Sequence, residues 1–151
     1  FFMDNDLKLD MFSSEFSVDE LNVSYIDAGI KAGFPSPAQD YFTGAIDLNR
    51  ELIRHKETTF LARVSGNSLH DAGICDGDII VIDKSLEAKN GDFVVAFVDG
   101  EFTLKEFRFD EKNNCAWLIP HNKDYEPIKI TVENQFLVWG VLTYTIKHLR
   151  K

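Results

Sequence analysis

From Thr58 onward, short apolar-rich runs alternate with turn residues, the pattern of strands joined by tight connections. "TTFLARVS" predicts one strand. "DIIVIDK" predicts a second, and its nearly unbroken apolar run predicts burial on both faces. "DFVVAFVDGEFTLKEFRFD" predicts a hairpin with Asp99-Gly100 as its two-residue turn. "CAWLIP", "IKITVE" and "FLVWGVLTYTIKHL" predict the remaining strands. Upstream the pattern changes. In "DYFTGAIDLNRELIRH", Ile46, Leu48, Leu52 and Ile53 fall partly at helical spacing, and Asp47 is placed to cap a helix running to about His55. Pro35 and Pro37 push Phe34 and Ser36 into extended geometry. Residues 1–32 follow neither period and carry seven Asp/Glu against two Lys, which predicts a flexible, extended N-terminal arm. The chain divides accordingly into the arm (1–32), a linker with the helical segment (33–57) and a β-rich domain (58–151).

Composition sharpens this picture. At 151 residues, with 44% hydrophobic and 13% aromatic positions, the chain is long enough for one domain with a real core. A net charge of -9 argues against direct DNA binding, because gripping a phosphate backbone needs Lys and Arg on one face. Cys75 and Cys115 form no CxxC pair and no signal peptide precedes them, so the expected compartment is the reducing cytoplasm. The longest apolar run, "FLVWGVLTYTI", falls well short of the ~20 residues of a membrane span, and no membrane association is expected. The chain starts at Phe1, which leaves a native leader before it open.

Candidate chemistry centres on a break. The strand "LARV" runs into Ser65-Gly66-Asn67-Ser68, with a serine at the tip. A serine hydroxyl becomes a nucleophile only with a base in hydrogen-bond reach. His55, His70, His121, His148 and lysines on nearby strands are the available bases. In the strand after Asp99-Gly100, strict alternation puts Lys105 on one face with Phe107 and Phe109, and Phe102, Leu104, Glu106 and Arg108 on the other, which turns charged from Glu106. If the Phe face points inward, Lys105 is desolvated, which disfavours its charged form and makes it a base for serine; a bulge would instead leave it at the strand edge, snorkelling to water. Other features have plainer readings. The cysteines read as core thiols. Asp71, Asp76 and Asp78 lack the spacing of a calcium loop and read as turn residues, and Trp117 and Trp139 as packing. No metal or cofactor is expected.

Beyond these readings, "AGFPSPAQDY", "IDLNRELI", "SGNSL", "DAGI-DGDIIVID", "GDFVVAFVDGEFTLK" and "LIPHNKDYEPI" follow one another in an order and at a spacing that resemble the LexA/UmuD family of self-cleaving serine-lysine peptidases, most of all its short UmuD branch. The resemblance covers about residues 32–147. It implies a LexA-like, mostly β domain of twisted antiparallel sheets. It also implies Ser68 as nucleophile, Lys105 as general base, an oxyanion hole from the backbone N–H groups of Asn67 and Ser68, and self-cleavage between Ala32 and Gly33. A second Ala-Gly pair, Ala28-Gly29, lies four residues upstream, and "FPSP" favours the first. Leu69 and Asn67 depart from the family's usual Met and acid; Ala32 stands where the UmuD branch often has Cys, although Ala-Gly is usual in LexA. The implied partners are a second copy of the chain in a homodimer, a RecA nucleoprotein filament that stimulates cleavage, and an error-prone Y-family (UmuC-like) polymerase that the trimmed dimer serves in SOS translesion synthesis. A LexA-type repressor switch is disfavoured because the segment before the bond is too short and acidic for a helix-turn-helix. A non-catalytic β scaffold is the remaining alternative.

Overall fold

The computed structural model describes the backbone of residues 7–8, 22–26 and 42–150, and the side chains of 45–150. The described residues fall into two compact units. In the smaller, β2 (Asn22–Ile26) pairs antiparallel with β3 (Phe42–Asp47), with Asn22 opposite Asp47 and Val23 opposite Ile46. β3 runs directly into α1 (Leu48–Leu52). As the sequence predicts, Asp47 caps this helix, its carboxylate accepting from Asn49 N at 3.1 Å and Arg50 N at 3.5 Å. The helix stops before His55, however. Ile53 is already extended, with φ -122° and ψ 94°, and no residue of the helix is buried. So short a helix with no buried face has nothing to propagate it. Of residues 1–32, only Leu7–Lys8 and Asn22–Ile26 are described, both as paired strands. Ala28-Gly29, Ala32-Gly33, Pro35 and Pro37 lie outside the described residues.

The larger unit carries an eight-stranded antiparallel sheet. Its strand order is β1 (Leu7–Lys8), β4 (Thr59–Val64), β5 (Ile79–Asp83), β10 (Phe136–Ile146), β6 (Phe93–Val98), β7 (Glu101–Asp110), β8 (Cys115–Ile119) and β9 (Ile128–Ile130). Every strand predicted downstream of Thr58 is present. The β6–β7 hairpin turns at Asp99 and Gly100, whose φ angles of 46° and 93° are the pair of positive values a type I′ turn requires, and Val98 faces Glu101 across it. In β5, Ile80, Val81 and Ile82 are all within 1% of full burial, matching the two-sided burial its sequence predicts. On β6, Val94, Ala96 and Val98 join one core with Ala116, Leu118, Ile130 and Val141. Val95 joins another with Ala62, Val64, Leu69, Ile74, Ile80, Ile82 and Leu104. Alternation along β6 therefore supplies both cores.

β10 is the spine of the sheet. Its first half pairs with β6 and its second with β5, and the register shifts between Val138 and Gly140 and again between Leu142 and Tyr144. Such irregularities bend a strand and let it serve two neighbours. Gly140 sits at the first of them, where a Cβ would run into Cγ2 of Ile82, a side chain with no exposure. Gly140→Ala is therefore expected to destabilise the fold by about 1–3 kcal/mol, the usual cost of overpacking a filled core. An unchanged urea midpoint for this variant would mean that β10 and β5 separate freely there.

Candidate active site

The turn that carries Ser68 is held from several directions. β4 ends against the Asp76-Gly77-Asp78 turn, with Val64 N donating to Asp78 O and Gly77 N to Val64 O, each at 2.8 Å. Gly66, at φ 106°, adopts a backbone that side chains resist, and its N–H donates to Asp76 Oδ1 at 2.8 Å. Leu69, 1% exposed, anchors the next position in the core. From there the chain makes a short helical turn, His70–Ala72, closed by Gly73 at φ 84°. Asp76 and Asp78 thus serve turns, as expected, whereas the carboxylate of Asp71 is exposed beside His70. Asp78, buried, also accepts from Cys75 N at 2.9 Å and from Lys147 Nζ at 2.6 Å.

Ser68 is 2% exposed and Lys105 is 1% exposed. Ser68 Oγ donates to Leu104 O at 3.0 Å. Lys105 Nζ donates to the same Leu104 O at 3.2 Å and to Thr103 Oγ1 at 2.7 Å, and lies 5.9 Å from the centre of the Tyr125 ring. The hydroxyl and the amine therefore meet at one carbonyl, no further apart than the sum of those two distances to it. Two neutral oxygens accept from the amine in a site closed to bulk water.

The faces of β7 differ from the alternation expected. Thr103, Leu104, Lys105 and Glu106 are all buried, so this stretch is covered on both sides. Phe109, expected inside with Lys105, is 43% exposed, and Glu106, expected on a charged outer face, is 7% exposed. Glu106 is buried because it has partners: His121 Nε2 lies 2.8 Å from its Oε1, and Arg108 Nε donates to its Oε2 at 2.5 Å. Burial alone would raise the pKa of this carboxyl. The hydrogen bonds from His121 and Arg108 and the charge of Arg108 outweigh burial and hold it below the usual value.

The histidines separate clearly. His70, nearest Ser68 in sequence, has a 60% exposed side chain that approaches Asp71 at 3.3 Å. His148 is exposed. His121 reaches the serine turn through its backbone: its N–H donates to Ser68 O at 2.7 Å and its carbonyl accepts from Asp71 N at 2.8 Å. Next to it, Asn122 Nδ2 donates to Asn67 O at 2.8 Å. Both residues of the expected oxyanion hole thus have their carbonyls tied to the segment after Pro120. Thr103, Glu106, His121, Asn122 and Tyr125 are the site residues that sequence reasoning did not assign to these places.

His55 belongs to a separate group. Its Nδ1 lies 2.5 Å from Asp83 Oδ2 and 3.3 Å from Ser85 Oγ. Serine, histidine and aspartate are all present, but hydroxyl and carboxylate approach the same ring nitrogen, so no proton relay runs through the ring. The group is structural. Burial would raise the pKa of Asp83, but hydrogen bonds from His55, Ser85 and Thr58 prevail and bring it down to about 2 from 3.8. A carboxyl depressed in the folded state stabilises it above the unfolded-state pKa and loses that contribution as pH falls. Asp83 should therefore contribute roughly 2 kcal/mol at neutral pH, disappearing as pH falls from about 4 to about 2. Urea titrations of the wild type and Asp83→Asn should converge across that window. A gap as wide at pH 2 as at pH 7 would contradict this account.

Residues 24–143 match the family model described as Peptidase S24-like. The chain is 37% identical to Protein MucA of Salmonella typhimurium over 141 residues, which is 93% of this chain and 94% of that protein. It is 35% identical to Protein ImpA of the same organism over 127 residues, 80% and 81% of the two chains. It is also 43% identical over 99 residues to the LexA repressor of Acidothermus cellulolyticus, covering 66% of this chain but 35% of that protein.

Proposed function

The chain belongs to the Peptidase S24-like family, and from that premise we propose that it is a UmuD-like serine peptidase whose substrate is its own Ala32-Gly33 bond. The observation that carries this reading is the convergence of Ser68 Oγ and Lys105 Nζ, both buried, on Leu104 O. Ser68 Oγ attacks the Ala32 carbonyl while a neutral Lys105 takes the hydroxyl proton. The N–H groups of Asn67 and Ser68 stabilise the oxyanion. Lys105 then passes its proton to the leaving Gly33 amine, and water releases residues 1–32 from the serine ester. Because the substrate is covalently tethered, its effective concentration is high, and a site that the segment visits only part of the time still turns over.

The rest of the reading follows from the family branch. The matches cover 94% of MucA and 81% of ImpA but 35% of the LexA repressor, which favours the short branch over a repressor. In this reading a RecA nucleoprotein filament promotes docking of the cleavable segment, and the trimmed homodimer serves an error-prone Y-family polymerase in the cytoplasm. Leu137, Tyr144 and Ile146 of β10, exposed at 57%, 39% and 42%, support pairing of two copies through this strand. The net charge of -9 supports action through protein partners and not through DNA. Among the described residues no helix is long and apolar enough to cross a membrane. Intact mass after alkaline incubation, with and without a RecA filament, tests the central claim. Loss of the N-terminal segment from the wild type but not from Ser68→Ala supports it, and an uncut wild type under both conditions refutes it.

A further inference from the structure

We propose that His121 is a positioning residue for the nucleophile, and that Glu106 holds it in place; this rests on Ser68 being the nucleophile. Three observations lead there. First, the backbone of His121 brackets the serine turn, its N–H on Ser68 O and its carbonyl on Asp71 N. Where His121 lies decides where Ser68 lies. Second, the ring of His121 is fixed: Nε2 bonds Glu106 Oε1, and Phe93 meets the ring edge-on at 5.6 Å between centroids. Third, Glu106 is a carboxylate buried in a sheet interior, which is costly unless its bonds are complete. His121 and Arg108 complete them.

The geometry gives this arrangement a purpose beyond packing. Leu104, Lys105 and Glu106 are consecutive on β7. Leu104 O accepts from Ser68 Oγ, Lys105 brings the amine to the same carbonyl, and Glu106 reaches the far side of the serine turn through His121. One strand therefore contacts the Ser68 hydroxyl directly through Leu104 O and its backbone indirectly through Glu106 and His121, next to the amine that it presents. Removing the ring of His121 takes the support of Glu106 away from the backbone bonds that His121 makes to the turn, and leaves the carboxylate of Glu106 with Arg108. The turn then shifts more easily, and a displacement of about 1 Å at a reacting atom costs up to ~10²-fold in rate.

The test reads Ser68 directly, with a fluorophosphonate probe. Its P–F bond breaks as the Ser68 Oγ–P bond forms, fluoride leaves, and the hydroxyl proton goes to the base. Labelling is followed by intact mass on the full chain, alongside self-cleavage and thermal melting. His121→Ala should slow both labelling and cleavage by about 10- to 100-fold. His121→Gln, whose amide N–H can reach Glu106 from nearly the same place as Nε2, should recover to within about threefold of wild type, since it restores the hold without restoring a titratable ring. Glu106→Gln, which keeps the volume, should fall between these two even if His121→Ala folds poorly. Wild-type labelling rates in His121→Ala, or a His121→Gln as slow as His121→Ala, would overturn the proposal. A wild type that neither cleaves itself nor takes the probe at Ser68 would instead overturn the peptidase reading on which the proposal rests.

Discussion

Lys105→Ala is expected to abolish self-cleavage while the chain stays folded. A positioned general base contributes about 10²- to 10⁴-fold, so the loss should be of at least that order. The variant removes an amine whose hydrogen bonds go to Thr103 Oγ1 and Leu104 O, and Leu104 O keeps its bond from Ser68 Oγ. Lys105→Met keeps most of the side-chain volume without the nitrogen and should be equally inactive, which separates chemistry from packing. Lys105→Arg should also be inactive, because a guanidinium stays charged at any usable pH and accepts no proton. In the wild type the rate should rise with pH, since only the neutral amine takes the serine proton. Ser68→Ala should match Lys105→Ala, and the two together should lose no more than either alone, as for groups acting as a unit. His70→Ala is the control: its side chain is exposed and turned to Asp71, and its rate and pH profile should follow the wild type. Activity in Lys105→Ala that disappears on adding His70→Ala would transfer the role of base to the histidine.

The strands after Thr58 were legible because each carries its own local signal. The hairpin is the clearest case: Asp99 and Gly100 tolerate positive φ, and the apolar runs on either side fix the register. The helix cap was legible for the same reason, since Asp47 needs only its own following residues. The end of α1 was not, because whether a helix continues past Leu52 depends on whether anything covers it. β2 was missed for a related reason. Asn22–Ile26 is a short stretch inside an acidic segment, and its strand character comes from pairing with β3, a partner distant in sequence.

The site shows the same division. Ser68 and Lys105 stood out through a break in a strand and a lysine among aromatic residues. Alternation put Lys105 inside only if the Phe face pointed inward, and left a position at the strand edge open; that face is itself half outside, because Phe109 is exposed. Burial of Lys105 comes instead from β7 being covered on both sides from Thr103 to Glu106. That same double cover is why Glu106 could not be assigned from β7 alone. Its partner His121 sits fifteen residues further on and across a strand pairing. A glutamate beside a buried lysine, with "PHN" downstream, was the available signal, and only the fold brings the two ends together.

Cleavage at Ala32-Gly33 should release residues 1–32 and leave a product whose N-terminus reads Gly33. The register comes from "AGFPSP": the residues on both sides of the bond are small, and the prolines at 35 and 37 disfavour helix at the residue before each of them. Ala28-Gly29 offers the same dipeptide four residues earlier but is followed by "IKAG", with no proline to stiffen it. The two sites are separable by size. Ala32→Trp should block release, because an indole is far larger than the methyl group it replaces next to the bond, whereas Ala28→Trp should be cut at the wild-type rate. Both changes lie far in sequence from Ser68 and Lys105, so a fluorophosphonate should still label Ser68 in each, which distinguishes a blocked substrate from a damaged enzyme. N-terminal sequencing that reads Gly29, or an Ala32→Trp chain that is still cut while Ala28→Trp is not, would move the bond upstream. It would leave Ser68 and Lys105 in their roles, because a serine ester forms in the same way at either alanine.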